Sequence, residues 1–303
     1  MLDVPEQLLR LIAEESEAVC PAPIVAVARA VRRRHRPAVL AVLFYGSCLR
    51  QPGDEGKIVD LYLLADRYDN LHRSRLARSL NALLPPNVYY IEAPYEGRRV
   101  AAKYAIVTLD QFESLVAPRT LEPYFWARFA QPTVILWARD EGVRMRVQVA
   151  LGRAIATMLG ETLPLLPRGS TASELWPRAF AETYRTELRA ERDDQALRLY
   201  RAFAARYDRA TQILLPQPAE LNSEVVRRLA VRRWRQRRVA GKLLSVARLL
   251  KASFTFEDGA AYLVWKIGRH SGVQIELTPW QRRHPILAST VLAWRFYRAG
   301  GFR

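Results

Sequence analysis

Apolar positions recur at helical spacing over residues 4–19, where Leu8, Leu9, Ile12 and Ala13 share one face and predict an amphipathic helix. A second helix through 25–30 runs into Arg32-Arg33-Arg34-His35-Arg36, and Pro37, with no N–H to donate, stops it. The pattern then changes. Residues 38–45 are an unbroken apolar run (AVLAVLFY), as expected of a buried strand, and end at Gly46-Ser47. A loop of Gly, Pro and acidic residues over 51–56 leads to a second strand at 58–64. Further expected elements are a helix at 71–84, strands at 87–92 and 103–107, short helices at 110–116 and 122–129, and a strand at 133–137.

Beyond about residue 142 the strand signal fades and helical periodicity takes over at 143–159, 175–188 and 194–214. Leu215-Pro216-Gln217-Pro218 is the clearest linker, followed by a basic segment that reads as helix from 224 to 250. The expected organisation is α+β: a mixed-sheet domain over 1–140, a helical domain over 141–216, and a basic amphipathic region over 217–303. No internal repeat interrupts this outline, and the longest late apolar run, 285–294, falls short of the roughly 18 residues a membrane span requires.

Composition narrows the class. Half of the 303 residues are hydrophobic and a quarter are charged, which excludes a disordered or collagen-like chain. Cys20 and Cys48 are too few for a disulfide framework or a metal knot, as suits a reducing compartment. The acidic, amphipathic start is unlike a secretory or transit signal, so the expected location is the cytosol or, peripherally, the cytoplasmic face of a membrane. The formal net charge is +17, and Arg supplies nearly all of the cations. An Arg excess serves phosphate binding, though a GC-rich genome produces the same bias. Between Val225 and Arg303 lie 17 Lys/Arg and only three acids, Glu257, Asp258 and Glu276. A field this concentrated implies a polyanionic partner, either nucleic acid or an anionic membrane.

The stretch that carries chemistry is Phe44-Tyr45-Gly46-Ser47, then twelve residues, then Asp60-Leu61-Tyr62-Leu63. A strand delivering a Gly-Ser turn lets a triphosphate approach the backbone closely, with the Ser47 hydroxyl reaching its oxygens. A carboxylate on the adjacent strand, Asp60, suits a divalent ion that bridges phosphates. The layout resembles the DNA-polymerase-beta-like nucleotidyltransferase core. Gly-Ser after a strand is common, however, and Asp60 alternatively caps its loop or pairs with Lys57. The second carboxylate usual two residues on is replaced by Tyr62, which alternation puts on the face of Asp60.

Further motifs make the resemblance more specific. YGSCLRQPGDEGKIVDLYLLAD is similar to the mitochondrial-type phosphatidate cytidylyltransferases, the translocator-assembly-and-maintenance family, whose signature also lacks the second acid. Asn87-Val88-Tyr89-Tyr90 resembles that family's third strand, and Lys103-Tyr104-Ala105-Ile106 its Lys-Tyr-Gly-Val segment, with Ala105 for Gly. The segment from Tyr124 to Pro132 (YFWARFAQP) resembles Leu-Tyr-Ala-Gly-Arg…Lys-Pro, with Gln131 for Lys. Thr183-Tyr184-Arg185-Thr186-Glu187-Leu188-Arg189 resembles Ser-Tyr-Thr-Gly-Asp-Phe-Arg, with Glu187 for Asp. These motifs span about residues 42–191 and have the character of a distant, bacterial-like member.

The resemblance implies an enzyme that converts CTP and phosphatidic acid to CDP-diacylglycerol and pyrophosphate with Mg2+, a step of phospholipid biosynthesis. On that reading Tyr45, Gly46 and Ser47 bind the nucleotide, Asp60 and Glu187 hold the metal, and Lys103, Arg128 and Arg189 neutralise phosphate charge. Glu92 is a reserve ligand. The four histidines read as structural or surface residues, with His72 the one to watch because relatives often place a His shortly after the Asp strand. The plainer alternatives are that Lys103 and Arg128 are surface cations, Tyr104 and Tyr184 core aromatics, and Glu187 part of a solvated charged face.

In the basic region, Arg227, Arg228, Arg232, Arg233, Arg235, Arg237 and Arg238 surround Trp234, and Val239, Leu243, Val246 and Leu250 form an apolar stripe. Trp265, Trp280, Trp294, Phe296, Tyr297 and Phe302 follow among further Arg. This suits a monotopic membrane segment, with Arg233, Trp234, Arg237 and Leu243 as its expected contacts. Nucleic acid, with Arg on phosphates and aromatics under bases, is the competing partner. The rival functions are a nucleotidyltransferase with an RNA, small-molecule or other lipid-phosphate acceptor, and a non-catalytic adaptor on the same fold.

Overall fold

Five strands form one mixed sheet in the order β3-β4-β2-β1-β5, with β1 Val39–Tyr45, β2 Val59–Ala65, β3 Asn87–Tyr95, β4 Arg98–Thr108 and β5 Val134–Ala138. The computed structural model describes residues 4–50, 57–71, 74–118, 120–187, 194–215 and 224–255. The central strand β2 pairs antiparallel with β1 and parallel with β4, while β3 and β5 join antiparallel at the two edges. β1 and β2 are almost continuously apolar because both of their faces are covered.

Two helical layers provide that cover. On one face α2 (Ala22–Arg34) seats Ile24, Val27, Ala28 and Val31 against Val42, Phe44, Leu61 and Leu63. The other face packs against α1 (Glu6–Ser16), α5 (Leu109–Leu115), α6 (Tyr124–Phe129) and the long α7 (Glu141–Thr162). α3 (Ser47–Arg50) is a single turn after β1, and α4 (Arg75–Leu83) lies between β2 and β3. Then follow α8 (Ala172–Tyr184), α9 (Gln195–Ala202), α10 (Ala204–Leu214) and α11 (Glu224–Thr255). α8 begins at a reciprocal cap between Thr171 and Glu174, the arrangement that satisfies two orphan N–H groups at a helix start.

Three features differ from the sequence expectation. The helix expected at 194–214 is two helices, because Phe203 leaves helical geometry with φ −142° and ψ 39°. β3 and β4 are longer than their apolar centres and meet in a two-residue hairpin, with Glu96 at φ 46° and Gly97 at φ 76°. A Glu-Gly pair meeting the positive-φ demand of such a turn is a signal the strand reading passed over. Finally, one hydrophobic core runs from Leu8 through the sheet face and α7, α8 and α10 to Trp234, so it crosses both residue 140 and residue 216. The α+β class with a mixed sheet is as expected.

Candidate functional site

Strand register builds the site. Tyr45 on β1 lies opposite Asp60 on β2, and Asp60 opposite Lys103 on β4, so the three side chains stand in a row on one face. Lys103 Nζ lies 2.9 Å from Asp60 Oδ1 as an ion pair, yet that buried oxygen makes no hydrogen bond. Lys103 of β4 is thus the cation that strand register sets against Asp60. Gly46 follows Tyr45 with φ +91°, a conformation that side chains resist. A Cβ at Gly46 would stand 2.6 Å from Asp60 Oδ2. The glycine is thus demanded by its backbone conformation and by the closeness of Asp60.

Opposite this row, α6 contributes Arg128. Its guanidinium stacks on Tyr124, one turn earlier, with 4.6 Å to the ring centroid, and on Tyr45 at 5.3 Å. It also donates to the Tyr45 hydroxyl at 3.4 Å, and its Nε is buried without a hydrogen bond. Burial works against that charge, but Tyr124, Tyr45, Tyr62 and Glu187 outweigh it and hold the guanidinium charged. Burial likewise pushes the Tyr45 and Tyr62 phenols up, so both stay protonated near neutral pH. Tyr62 is fully buried and packs on Tyr45, Phe125 and Phe129. It forms the floor under Arg128.

α8 and the turn after it close the far wall with Thr183, Tyr184 and Glu187. Tyr45, Gly46, Ser47, Asp60, Lys103, Arg128 and Glu187 all line one cleft of about 270 Å3. Glu187 sits well beyond β2 in sequence, and the fold returns it to the cleft. Tyr124, Phe180, Gln195 and Leu199 also line it, none of them singled out from sequence. Tyr124 was legible as a helical i, i+4 neighbour of Arg128; Gln195 and Leu199 carry no local signal. Gln131, the position of a Lys in the resembled family, lines the same cleft.

Other expected residues lie elsewhere. Glu92 accepts from the Tyr90 hydroxyl at 2.7 Å and from Arg99 at 2.6 Å, which hold its carboxyl below the usual range, and it does not line the cleft. Tyr104 faces the other side of the sheet, stacked on Tyr89 and hydrogen-bonded to His35 at 3.0 Å. Arg189, His72 and the aromatic positions from Trp265 onward lie outside the described residues.

Two residues expected at a membrane are instead interior. Trp234 and Arg237 are each 1% exposed. The Trp234 indole donates to the Glu161 carbonyl at 2.9 Å, and Arg237 pairs with the Glu161 carboxylate at 2.7 Å. Burying two such groups costs free energy that these partners offset. Arg233 is exposed but also pairs with Glu161, at 3.1 Å, whereas Leu243 faces outward as expected. The error is one of helix phase: Trp234, Arg237 and Gly241 form the inner stripe of α11, and the apolar residues two positions away form the outer one.

The cleft suits a hard divalent cation only partly from its own atoms. Among the described residues no group of three His, Cys, Asp or Glu could hold a metal. Asp60 and Glu187 are two carboxylates on one cleft, with Asp60 Oδ1 lacking a hydrogen bond. That set fits Mg2+, which takes one or two carboxylates and completes its shell with substrate oxygens and water. No protein-family model matches this chain, and no curated protein is significantly similar to it.

Proposed function

We propose that the cleft is the active site of a nucleotidyltransferase of polymerase-beta-like type, a cytidylyltransferase that makes CDP-diacylglycerol and pyrophosphate from CTP and phosphatidic acid. One observation carries this reading: a Gly-Ser turn, a strand carboxylate with its lysine, a helix arginine and a distant glutamate line a single cleft. These residues come from separate segments, and the resemblance assigns a role to each of them.

An oxygen of the lipid phosphate attacks the α-phosphorus of CTP; the new P–O bond forms as the bond to the bridging β-phosphate oxygen breaks, and pyrophosphate leaves. The attacking phosphate is already an anion near neutral pH, so little general-base assistance is required. The burden on the protein is to hold two polyanions together. Gly46 admits the triphosphate to the backbone, and the exposed Ser47 hydroxyl reaches its oxygens. Lys103 and Arg128 place cations on the two sides of the cleft, Arg128 fixed in direction by the Tyr45 and Tyr124 rings. Asp60 and Glu187 would hold Mg2+, which would supply positive charge against the phosphate oxygens.

A lipid acceptor requires contact with a bilayer. The outer face of α11 supports this, with Val225, Leu229, Val239, Leu243 and Val246 exposed among Arg227, Arg228, Arg232 and Arg235. Such a stripe suits an anionic membrane surface. No described helix is long and apolar enough to cross a membrane. The direct test is pyrophosphate release from CTP and phosphatidate vesicles with Mg2+. Wild type should exceed Asp60→Asn by about a hundredfold or more, the scale for loss of a charge that organises phosphoryl transfer. Equal rates for the two proteins would remove the enzyme reading.

A further inference from the structure

The arginines that end α2 have no part in that reaction. Arg29, Arg32, Arg33, Arg34 and Arg36 crowd two turns, and among the described residues no acidic side chain forms an ion pair with any of them. Beside them α2 and the edge strand β5 enclose a second cleft, about 370 Å3, lined by Val25, Ala28, Arg29, Arg32, Leu136 and Trp137. It shares no lining residue with the nucleotide cleft. α2 also covers the sheet face opposite to Tyr45 and Tyr62.

Arg32 is held in a defined orientation, its guanidinium 4.5 Å from the centroid of the Trp137 ring. Its Nε is buried with no hydrogen-bond partner, and an unmet donor of this kind favours any ligand that can accept from it. Burial disfavours the Arg32 charge, and Arg36, Arg29 and Arg33 add repulsion in the same direction. An anion entering the cleft would relieve both. Guanidinium forks match phosphate oxygens, and a dianion gains more than a carboxylate from several cations. Val25, Ala28, Leu136 and Trp137 supply an apolar wall beside that charge. The volume is that of a small-molecule site and too small for a long polymer to be enclosed.

We propose that this cleft binds a phosphate monoester carried on an apolar or planar body, with Arg29 and Arg32 taking the phosphate and the Val25–Leu136–Trp137 wall covering the body. Nucleotides and short-chain lipid phosphates share this chemistry. The inference stands apart from the proposed reaction and survives if that reaction is absent.

The test is calorimetric titration of the full chain with three probes: inorganic phosphate, CMP, and dihexanoyl phosphatidate below its micellar concentration. The expected result is that one of the two organic phosphates binds wild type about tenfold or more tighter than Arg29→Gln/Arg32→Gln, the scale of one lost charge-assisted contact. Inorganic phosphate should bind more weakly than that ester. Asp60→Asn should retain the site, which separates it from the nucleotide cleft. Arg32→Lys, which keeps the charge but not the fork, should weaken binding several-fold and serves if the double variant misfolds. Affinity unchanged by both sets of Arg variants, loss of affinity only in Asp60→Asn, or no measurable binding of either ester would each overturn the proposal.

Discussion

Gly46→Ala isolates the tightest geometric demand in the cleft beside Asp60. The added methyl meets two separate penalties. At φ +91° an L side chain costs about 1–2 kcal/mol, and the Cβ would stand 2.6 Å from Asp60 Oδ2 and 3.1 Å from its Cβ. Asp60 must then swing away and lose its 2.9 Å contact with Lys103. Lys103 is partly exposed, so solvent screens that pair and its loss is worth no more than about 1 kcal/mol. The sum is about 2–3 kcal/mol, or a fall in Tm of about 3–5 °C for a chain of this size. Scanning calorimetry of Gly46→Ala, Asp60→Ala and the double variant separates the terms. The clash vanishes when Asp60 is absent and the backbone penalty does not, so the double variant should be about 1 kcal/mol more stable than the two single losses predict. Pyrophosphate release should fall with the single variant, because the displaced carboxylate is the proposed metal ligand. A Gly46→Ala protein melting within a degree of wild type, with strictly additive behaviour beside Asp60→Ala, would refute the packing argument.

Three further outcomes are expected. Glu161→Ala leaves the buried Arg237 guanidinium without its 2.7 Å partner and should cost about 3–5 kcal/mol in a urea melt; a loss under about 1 kcal/mol would mean that solvent reaches Arg237. Lys251 donates to Asn81, Leu84 and Pro86, and burial, with Arg248 adding repulsion, pushes it down to about 8. The unfolded chain then binds the extra proton above that pH, so stability should rise by about 2 kcal/mol from pH 8 to pH 10, and Lys251→Met should abolish this part of the rise. Val239→Glu/Leu243→Glu should reduce flotation with anionic liposomes about tenfold while leaving Tm nearly unchanged, since both side chains already face solvent; undiminished flotation removes α11 as the membrane contact.

Most elements were legible because their apolar periods are strong. β1 and β2 are near-continuous apolar runs, and α1 repeats at 3.6. Asp60 and Gly46 were legible as well, since a carboxylate inside an apolar strand and a glycine at its end are local departures from pattern. The row Tyr45–Asp60–Lys103 was not, because register between β2 and β4 is a tertiary property that neither strand encodes alone. Glu187 came within reach only through a resemblance; the sequence reads it as one charge among several in a helix over 175–188, but α8 ends at Tyr184 and Glu187 stands in the turn beyond it. Trp234 and Arg237 were misassigned because an Arg-rich helix offers cations on every face, and composition does not say which face is buried.

The inner stripe of α11 changes what that helix is. Gly241 lies so close to the end of α8 that a Cβ there would stand 2.6 Å from the Thr186 carbonyl oxygen, one residue before Glu187. Farther along, Arg248 pairs with Glu122, donates to the Pro85 carbonyl at 2.6 Å, and lies 5.0 Å from the Tyr124 ring centroid. One helix therefore braces both walls of the cleft, through Thr186 on the side of Glu187 and through Tyr124 on the side of Arg128. The residues opposite this stripe are the exposed Val239, Leu243 and Val246. A surface that engages the outer face thus acts on the same rigid rod that positions the arginine and the glutamate. Gly241→Val should consequently impair pyrophosphate release even with a soluble short-chain acceptor, where Val239→Glu/Leu243→Glu should not. Equal impairment by both would mean that the outer face serves the fold of α11 rather than a bilayer.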